Sequence, residues 1–179
     1  MKAKPAAIAG EESLAAAQFP PLPNVNAEKL FWAMMSEARH PDPYMFPALQ
    51  TIKASGKFTL AALSNTVIFP PGSPLGEVVE GDVRTIFDVF VSSAHVGMRK
   101  PDPRIYEYTL VKLREKVGPD LEADEVLFLD DIGENLKAAK ALGMRTIRVL
   151  LGKTHLAVKE LESILDMDLL GNLREKAKL

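Results

Sequence analysis

Two adjacent aspartates, Asp130 and Asp131, directly follow the apolar run EVLFL (125–129) and directly precede a helical pattern that begins near Gly133. A lone aspartate in that place would usually cap the helix and meet the positive end of its dipole. Only one of two can cap, and neighbouring carboxylates repel each other unless a cation sits between them. Hard oxygen ligands of this kind suit Mg²⁺, which takes one or two carboxylates and completes its shell with phosphate and water. Ser64 and Asn65 end another apolar run. They are common turn formers, but they also offer a hydroxyl and an amide that can donate hydrogen bonds to a phosphoryl group. Lys100 lies in GMRKPDPRIY. A solvated lysine is the usual case, yet Pro101 and Pro103 stiffen the backbone around this one. That would hold an ammonium in place to neutralise phosphate charge, with Arg99 a weaker candidate for the same role. His40, His95 and His155 are scattered without ligand spacing, so His95 has a supporting role at most. Gly72, Gly76 and Gly81 show neither GxGxxG nor P-loop order and carry no nucleotide reading.

The elements that must position these residues alternate. FTLAAL (58–63), FDVFVSS (87–93), EVLFL (125–129) and RTIRVL (145–150) read as short buried strands. Between and after them, DPRIYEYTLVKLREKV (102–117), GENLKAAKALG (133–143) and HLAVKELESIL (155–165) read as helices. Asp102 is placed to cap the first of these, with Pro103 at its first position. Upstream, NAEKLFWAMMSEA (26–38) predicts an amphipathic helix capped by Asn26, and a second helix over about 45–55 is stopped by Gly56. Strands apolar on both faces and separated by helices predict an α/β fold with a Rossmann-like parallel sheet and helices on both faces. Ligands of such sheets bind beyond the carboxyl ends of the strands. Ser64–Asn65–Thr66, Ser92–Ser93 and Asp130–Asp131 all fall there.

The chain has 179 residues, enough for one domain with a real core. An apolar fraction of 47%, a charged fraction of 26% and a net charge of −2 give no footprint for nucleic acid or an anionic membrane. There is no cysteine, which excludes disulfides and thiol chemistry. No apolar run is long enough to span a bilayer, and Glu11 and Glu12 argue against a mitochondrial leader. The expectation is a cytoplasmic protein. Residues 1–24 read as a poorly ordered arm, with a short helix over 11–18, and 171–179 as a charged tail.

LAALSNT, VGMRKPDPRIYEYTL and VLFLDDIGENLKAAKALGMRTIRV together resemble the second, third and fourth motifs of haloacid dehalogenase-like hydrolases. The likeness extends to the phosphatase domain of the soluble epoxide hydrolase group, which has a near-identical FLDDIG-x-N-L pattern. It covers about 45–165 strongly, giving a core over 45–170. FWAMMSEARHPDPYM resembles the end of the family's helical cap, so 25–44 is expected to be a cap remnant. The resemblance implies that Ser64, Asn65 and Lys100 bind phosphate and that Lys100 stabilises its charge. It implies that Asp131 ligates Mg²⁺, that Asp130 tunes the site as a second catalytic residue, and that Gly133 and Asn135 shape the loop. The substrate implied is a small phosphorylated molecule.

The family's first motif, an apolar strand followed by D-x-D-x-[TV], supplies an aspartate nucleophile, a general acid–base and a metal carboxylate. No such segment occurs before residue 45, where the one aspartate is Asp42 in HPDPY. The expectation is a Mg²⁺-dependent phosphomonoesterase type that is truncated and weakly active or inactive. The alternative is a non-catalytic phosphate-binding pseudoenzyme or regulatory module. A chain with no stable fold is a further reading; dehalogenation is disfavoured by the aspartate pair. In the family the first-motif strand lies between the strands of the second and fourth motifs. Without it, FTLAAL and EVLFL must close against each other or leave unpaired edges that invite self-association.

Overall fold

The computed structural model describes residues 24–38, 40–73, 76, 78 and 82–171. The expected N-terminal arm and its short helix lie outside this range, apart from Asn24, as does the charged tail after Gly171.

Helix α1 spans Ala27–Glu37 and is capped by Asn26, whose Oδ1 accepts from the Lys29 amide at 2.8 Å. None of its residues is buried. Its apolar positions Leu30, Phe31 and Met34 stay exposed, and Trp32 stacks on Phe69 with ring centroids 6.4 Å apart. Helix α2 spans Met45–Ser55 and ends at Gly56, whose φ of 65° is a left-handed stop that favours glycine. Strand β1 (Ala61–Ser64) follows, and a short 3₁₀ turn (Val83–Ile86) leads into strand β2 (Val89–Ser92). A single helical turn, α3 (Ser93–Val96), precedes helix α4 (Pro103–Val117). Asp102 caps α4 and Pro103 takes its first position, as the sequence predicts. A 3₁₀ turn (Ala123–Glu125), strand β3 (Leu127–Asp130), helix α5 (Gly133–Ala141), strand β4 (Arg145–Arg148) and helix α6 (Thr154–Leu165) complete the order. All four strands are shorter than the apolar runs that announce them. The outer residues of those runs serve instead as connections, such as Asp88, whose amide bonds to the Leu60 carbonyl.

Helices cover both faces. On one, Ala48 and Ile52 of α2 and Ala157, Val158 and Leu161 of α6 pack on Ile147, Leu127 and Leu129. On the other, Ile105, Tyr106 and Leu110 of α4 and Ala139 of α5 pack on Val91, Leu63 and Phe128. The alternation of Leu127, Phe128 and Leu129 between the two layers is the period of two of a strand buried on both sides.

The parallel α/β class holds as expected, with one correction to the continuity of the sheet. Strand β1 pairs in parallel with β2, Ala61 opposite Val89 through Ser64 opposite Ser92. Strand β3 pairs in parallel with β4, Leu127 opposite Arg145 through Asp130 opposite Arg148. These are two separate two-stranded sheets, and no ladder joins β1 to β3 among the described residues. Of the two outcomes anticipated without a first-motif strand, the described residues adopt the one that leaves these edges unpaired. Residues 61–64 and Leu127–Leu129 are accordingly only half-buried although mostly apolar.

Candidate active site

Lys100 ties the carboxyl ends of the two strand pairs together. Asn65, the residue after β1, accepts from the Lys100 amide at 2.9 Å and donates to the Lys100 carbonyl at 3.1 Å. The peptide bond that follows, Lys100–Pro101, is cis. This two-bond clamp, with the prolines, fixes the backbone from which the side chain projects. The ammonium then reaches Asp130 at the end of β3, with Nζ 2.7 Å from Oδ2. It also lies 5.5 Å from the centre of the Phe128 ring, inside cation–π range. Both charged side chains are buried, at 11% and 5% exposure.

Both Asp130 oxygens are engaged. Its Oδ1 accepts from the Ile132 amide and from Asn135 Nδ2, each at 2.9 Å. Burial pushes its carboxyl up, but the Lys100 ammonium and these two donors more than offset that, and the group lies below the usual aspartate value. Tyr106 donates to the Asn135 carbonyl at 3.0 Å. Burial, helped by the Asp130 charge, pushes its phenol up to about 12. The Lys100 ammonium is the cation that pairs with Asp130. Asp131 is exposed, with no ion pair or side-chain hydrogen bond among the described residues.

The four expected phosphate and catalytic residues thus meet in part. Asn65, Lys100 and Asp130 form one hydrogen-bonded chain. Ser64 sits beside it at the end of β1, half-buried and in register with Ser92. Asp131 stands apart. Among the described residues no group of three acidic, histidine or cysteine side chains converges to hold a metal. A Mg²⁺ ion would find one carboxylate, Asp131, and would depend on phosphate and water oxygens for the rest of its shell.

Sequence reasoning undervalued a second polar group. Thr66 Oγ1 and Ser92 Oγ are 2.6 Å apart, and Ser92 Oγ is 2.6 Å from His95 Nδ1. Ser93 Oγ accepts from the Thr66 amide at 2.9 Å. These residues lock the end of β1 to the end of β2 and so brace Ser64 and Asn65. The available signal was that Thr66, Ser92 and Ser93 all lie at or just past strand ends. Asp42, the one aspartate upstream of α2, caps that helix, its Oδ1 accepting from the Tyr44 and Met45 amides at 2.9 and 2.8 Å. A broad, mainly apolar groove of about 1700 Å³ opens from Ser64 and Asn65 along the outer edge of β2, towards Met35 of α1.

A parallel α/β fold with strand-end Ser–Asn, Lys and Asp–Asp groups defines a class of hydrolases, and comparison with known proteins gives its family. The haloacid dehalogenase-like hydrolase family model matches residues 10–143. The chain belongs to that family. Mouse acyl-CoA dehydrogenase family member 10 is 41% identical over 130 residues, 71% of this chain and 11% of that protein. Pig bifunctional epoxide hydrolase 2 is 34% identical over 147 residues, 82% of this chain and 25% of that protein. A sesquiterpene phosphatase of Aspergillus oryzae is 35% identical over 105 residues, 58% of this chain and 48% of that protein. The chain therefore spans a quarter or less of the first two relatives and about half of the third. A solved haloacid dehalogenase-like hydrolase from Porphyromonas gingivalis superposes with a TM-score of 0.55 at 20% identity, covering 80% of this chain and 67% of that one, a likeness of fold. No helix among the described residues is long and apolar enough to cross a membrane.

Proposed function

We propose that this chain is the phosphate-binding part of a Mg²⁺-dependent phosphomonoesterase, with little or no turnover by itself. The observation that carries the reading is the Lys100 ammonium, held at the strand ends by Asp130 and clamped through its backbone by Asn65. In this reading Ser64 and Asn65 donate to the phosphoryl oxygens, Lys100 neutralises their charge, and Asp130 positions Lys100. Asp131 supplies the carboxylate for Mg²⁺, which when bound would offset phosphate charge as a Lewis acid. Helix α1, with the loop to α2, is the remnant of a cap.

Hydrolysis of an aryl phosphate by the purified chain, with and without Mg²⁺ and beside Lys100→Ala, tests this directly. Phosphate binding that needs Lys100, with hydrolysis no faster than in Lys100→Ala, is the expected result. Hydrolysis that needs both Mg²⁺ and Lys100 would show that a nucleophile is present and overturn the inactive reading. Absence of phosphate binding would overturn the whole reading.

A second reading is a non-catalytic phosphate-binding module. It is favoured by Asp130, whose carboxylate is taken up by Lys100, the Ile132 amide and Asn135. It predicts the same binding, with no phosphorylated aspartate detectable by mass after exposure to phosphate donors.

A further inference from the structure

The hydrogen-bonded group at the end of β2 has a direction that depends on charge. His95 Nδ1, Ser92 Oγ and Thr66 Oγ1 form a chain with two links of 2.6 Å each. Thr66 Oγ1 also accepts from the Ala94 amide at 3.5 Å. The Thr66 backbone is fixed by Ser93, whose Oγ accepts from the Thr66 amide at 2.9 Å and donates to its carbonyl at 3.4 Å. The side chain can therefore redirect its hydrogen without moving its oxygen. Ser92 is buried, whereas His95 is exposed on the wall of the groove. Thr66 directly follows Ser64 and Asn65 and lines the same groove as they do. Among the described residues, Ser92 is the one hydrogen-bond partner of the His95 ring.

A hydroxyl has one hydrogen to donate and two lone pairs that accept. With the His95 ring neutral and its hydrogen on Nε2, Nδ1 accepts from Ser92 and Ser92 accepts from Thr66. The Thr66 hydrogen is then used inside the chain. In the charged ring both nitrogens carry hydrogen. Nδ1 now donates to Ser92, Ser92 donates to Thr66, and the Thr66 lone pairs are filled by Ser92 and the Ala94 amide. The Thr66 hydrogen must leave the chain, towards the groove where Ser64 and Asn65 hold the anion. We propose that His95 is a positioning residue for the phosphate site, a role that rests on the phosphate reading. Acting through Ser92, it turns the Thr66 hydroxyl from an internal donor into a further donor to the phosphoryl group. Imidazole ordinarily changes charge between pH 5 and 8, a range in which carboxylates, lysine and arginine keep theirs. Among the described residues, the other charged or titratable side chains of this groove are the pairs Asp82–Arg84, Asp88–Lys53 and Glu115–Lys112, with Tyr108 and Lys116. Met35, Ala38 and Pro41, which face it from α1 and the loop that follows, carry no charge.

The test is calorimetric binding of inorganic phosphate to the full chain from pH 5 to pH 8, beside His95→Gln, Ser92→Ala, Thr66→Val and Thr66→Ser. Affinities are compared with that of His95→Gln at each pH, so that the protonation of phosphate itself cancels. The native affinity should rise on this scale about tenfold from pH 8 to pH 5, the equivalent of about 1.4 kcal/mol, as a hydrogen bond to a charged group would give. Thr66→Ser keeps the hydroxyl and should show the same rise. Ser92→Ala cuts the chain with the ring still present, and Thr66→Val removes the donor at constant shape; neither should show a rise. A flat native profile would overturn the proposal. A rise that survives Ser92→Ala would also overturn it, leaving His95 as a plain positive charge on the groove wall. Should Ser92→Ala fail to fold, the contrast between Thr66→Val and Thr66→Ser decides in its place, and equal rises in the two would overturn the proposal. Phosphate bound by none of these proteins at any pH would overturn the phosphate reading itself, and this role of His95 with it.

Discussion

Removing the Lys100 charge while keeping its methylenes should reverse the pH response of stability at this site. In Lys100→Met the Asp130 carboxylate keeps the Ile132 and Asn135 donors but loses its buried cation. Orphaning one member of a buried ion pair costs roughly 3–5 kcal/mol. The surviving donors put this case near the lower end, about 3 kcal/mol at neutral pH, a large share of the roughly 5–15 kcal/mol that holds a domain together. The sign follows from the two states of Asp130. In the native protein its folded value lies below the unfolded value of about 3.9. Its contribution is therefore fully present above that value and is lost as pH falls through the folded value. In the variant, burial, already the largest influence on the group, meets weaker opposition and carries the folded value above the unfolded one. The variant then regains stability as pH falls through that raised value. Urea denaturation of both proteins from pH 4 to pH 8 gives the difference curve, in which the other titrating groups cancel. The gap should be widest near pH 7 and narrow on acidification. A gap independent of pH would refute the argument and reduce Lys100 to packing and its contact with Phe128. The double variant Lys100→Met/Asp130→Asn should recover to within about 1 kcal/mol of the native protein, because no buried charge is left without a partner.

Asp42→Ala should cost about 1 kcal/mol by loss of the α2 cap, measured by urea denaturation, while phosphate binding is unchanged. Asp131→Asn should leave stability within about 0.5 kcal/mol, as for an exposed side chain, and abolish any Mg²⁺-dependent increase in phosphate affinity followed by calorimetry. Tyr106→Phe should cost about 1 kcal/mol by removing a buried hydrogen bond to the Asn135 carbonyl, detectable as a lower urea midpoint at constant slope. Asn65→Ala should weaken phosphate binding more than it lowers stability, because the clamp on the Lys100 backbone is lost near the surface.

The helices were legible because their signals are local. Asn26, Asp102 and Gly56 act at the ends where the sequence places them. Strand positions were legible to within a few residues, since apolar runs mark burial but not where a ladder begins and ends. The resemblance of three motifs gave the family, and the meeting of Lys100 and Asp130 followed from their place beyond strand ends. Which aspartate turns inward could not be read, because Asp130 and Asp131 differ only in the face of the turn each occupies. The division of the sheet was anticipated as one of two outcomes. Choosing between them depends on whether the α-helical layers hold β1 and β3 apart, a property of packing across distant segments that no local pattern records.

The paired strands also bear on how the chain unfolds. Strands β3 and β4 close over the short α5 connection, with Leu127 opposite Arg145, whereas β1 and β2 meet across a longer excursion, with Ala61 opposite Val89. With no backbone ladder between the pairs among the described residues, cooperativity between them relies on side-chain packing and on the Asn65–Lys100 contacts. The β3–α5–β4 unit has the more local contacts, a property associated with faster assembly. It can act as a separate foldon, opening at a free energy of its own rather than with the whole domain.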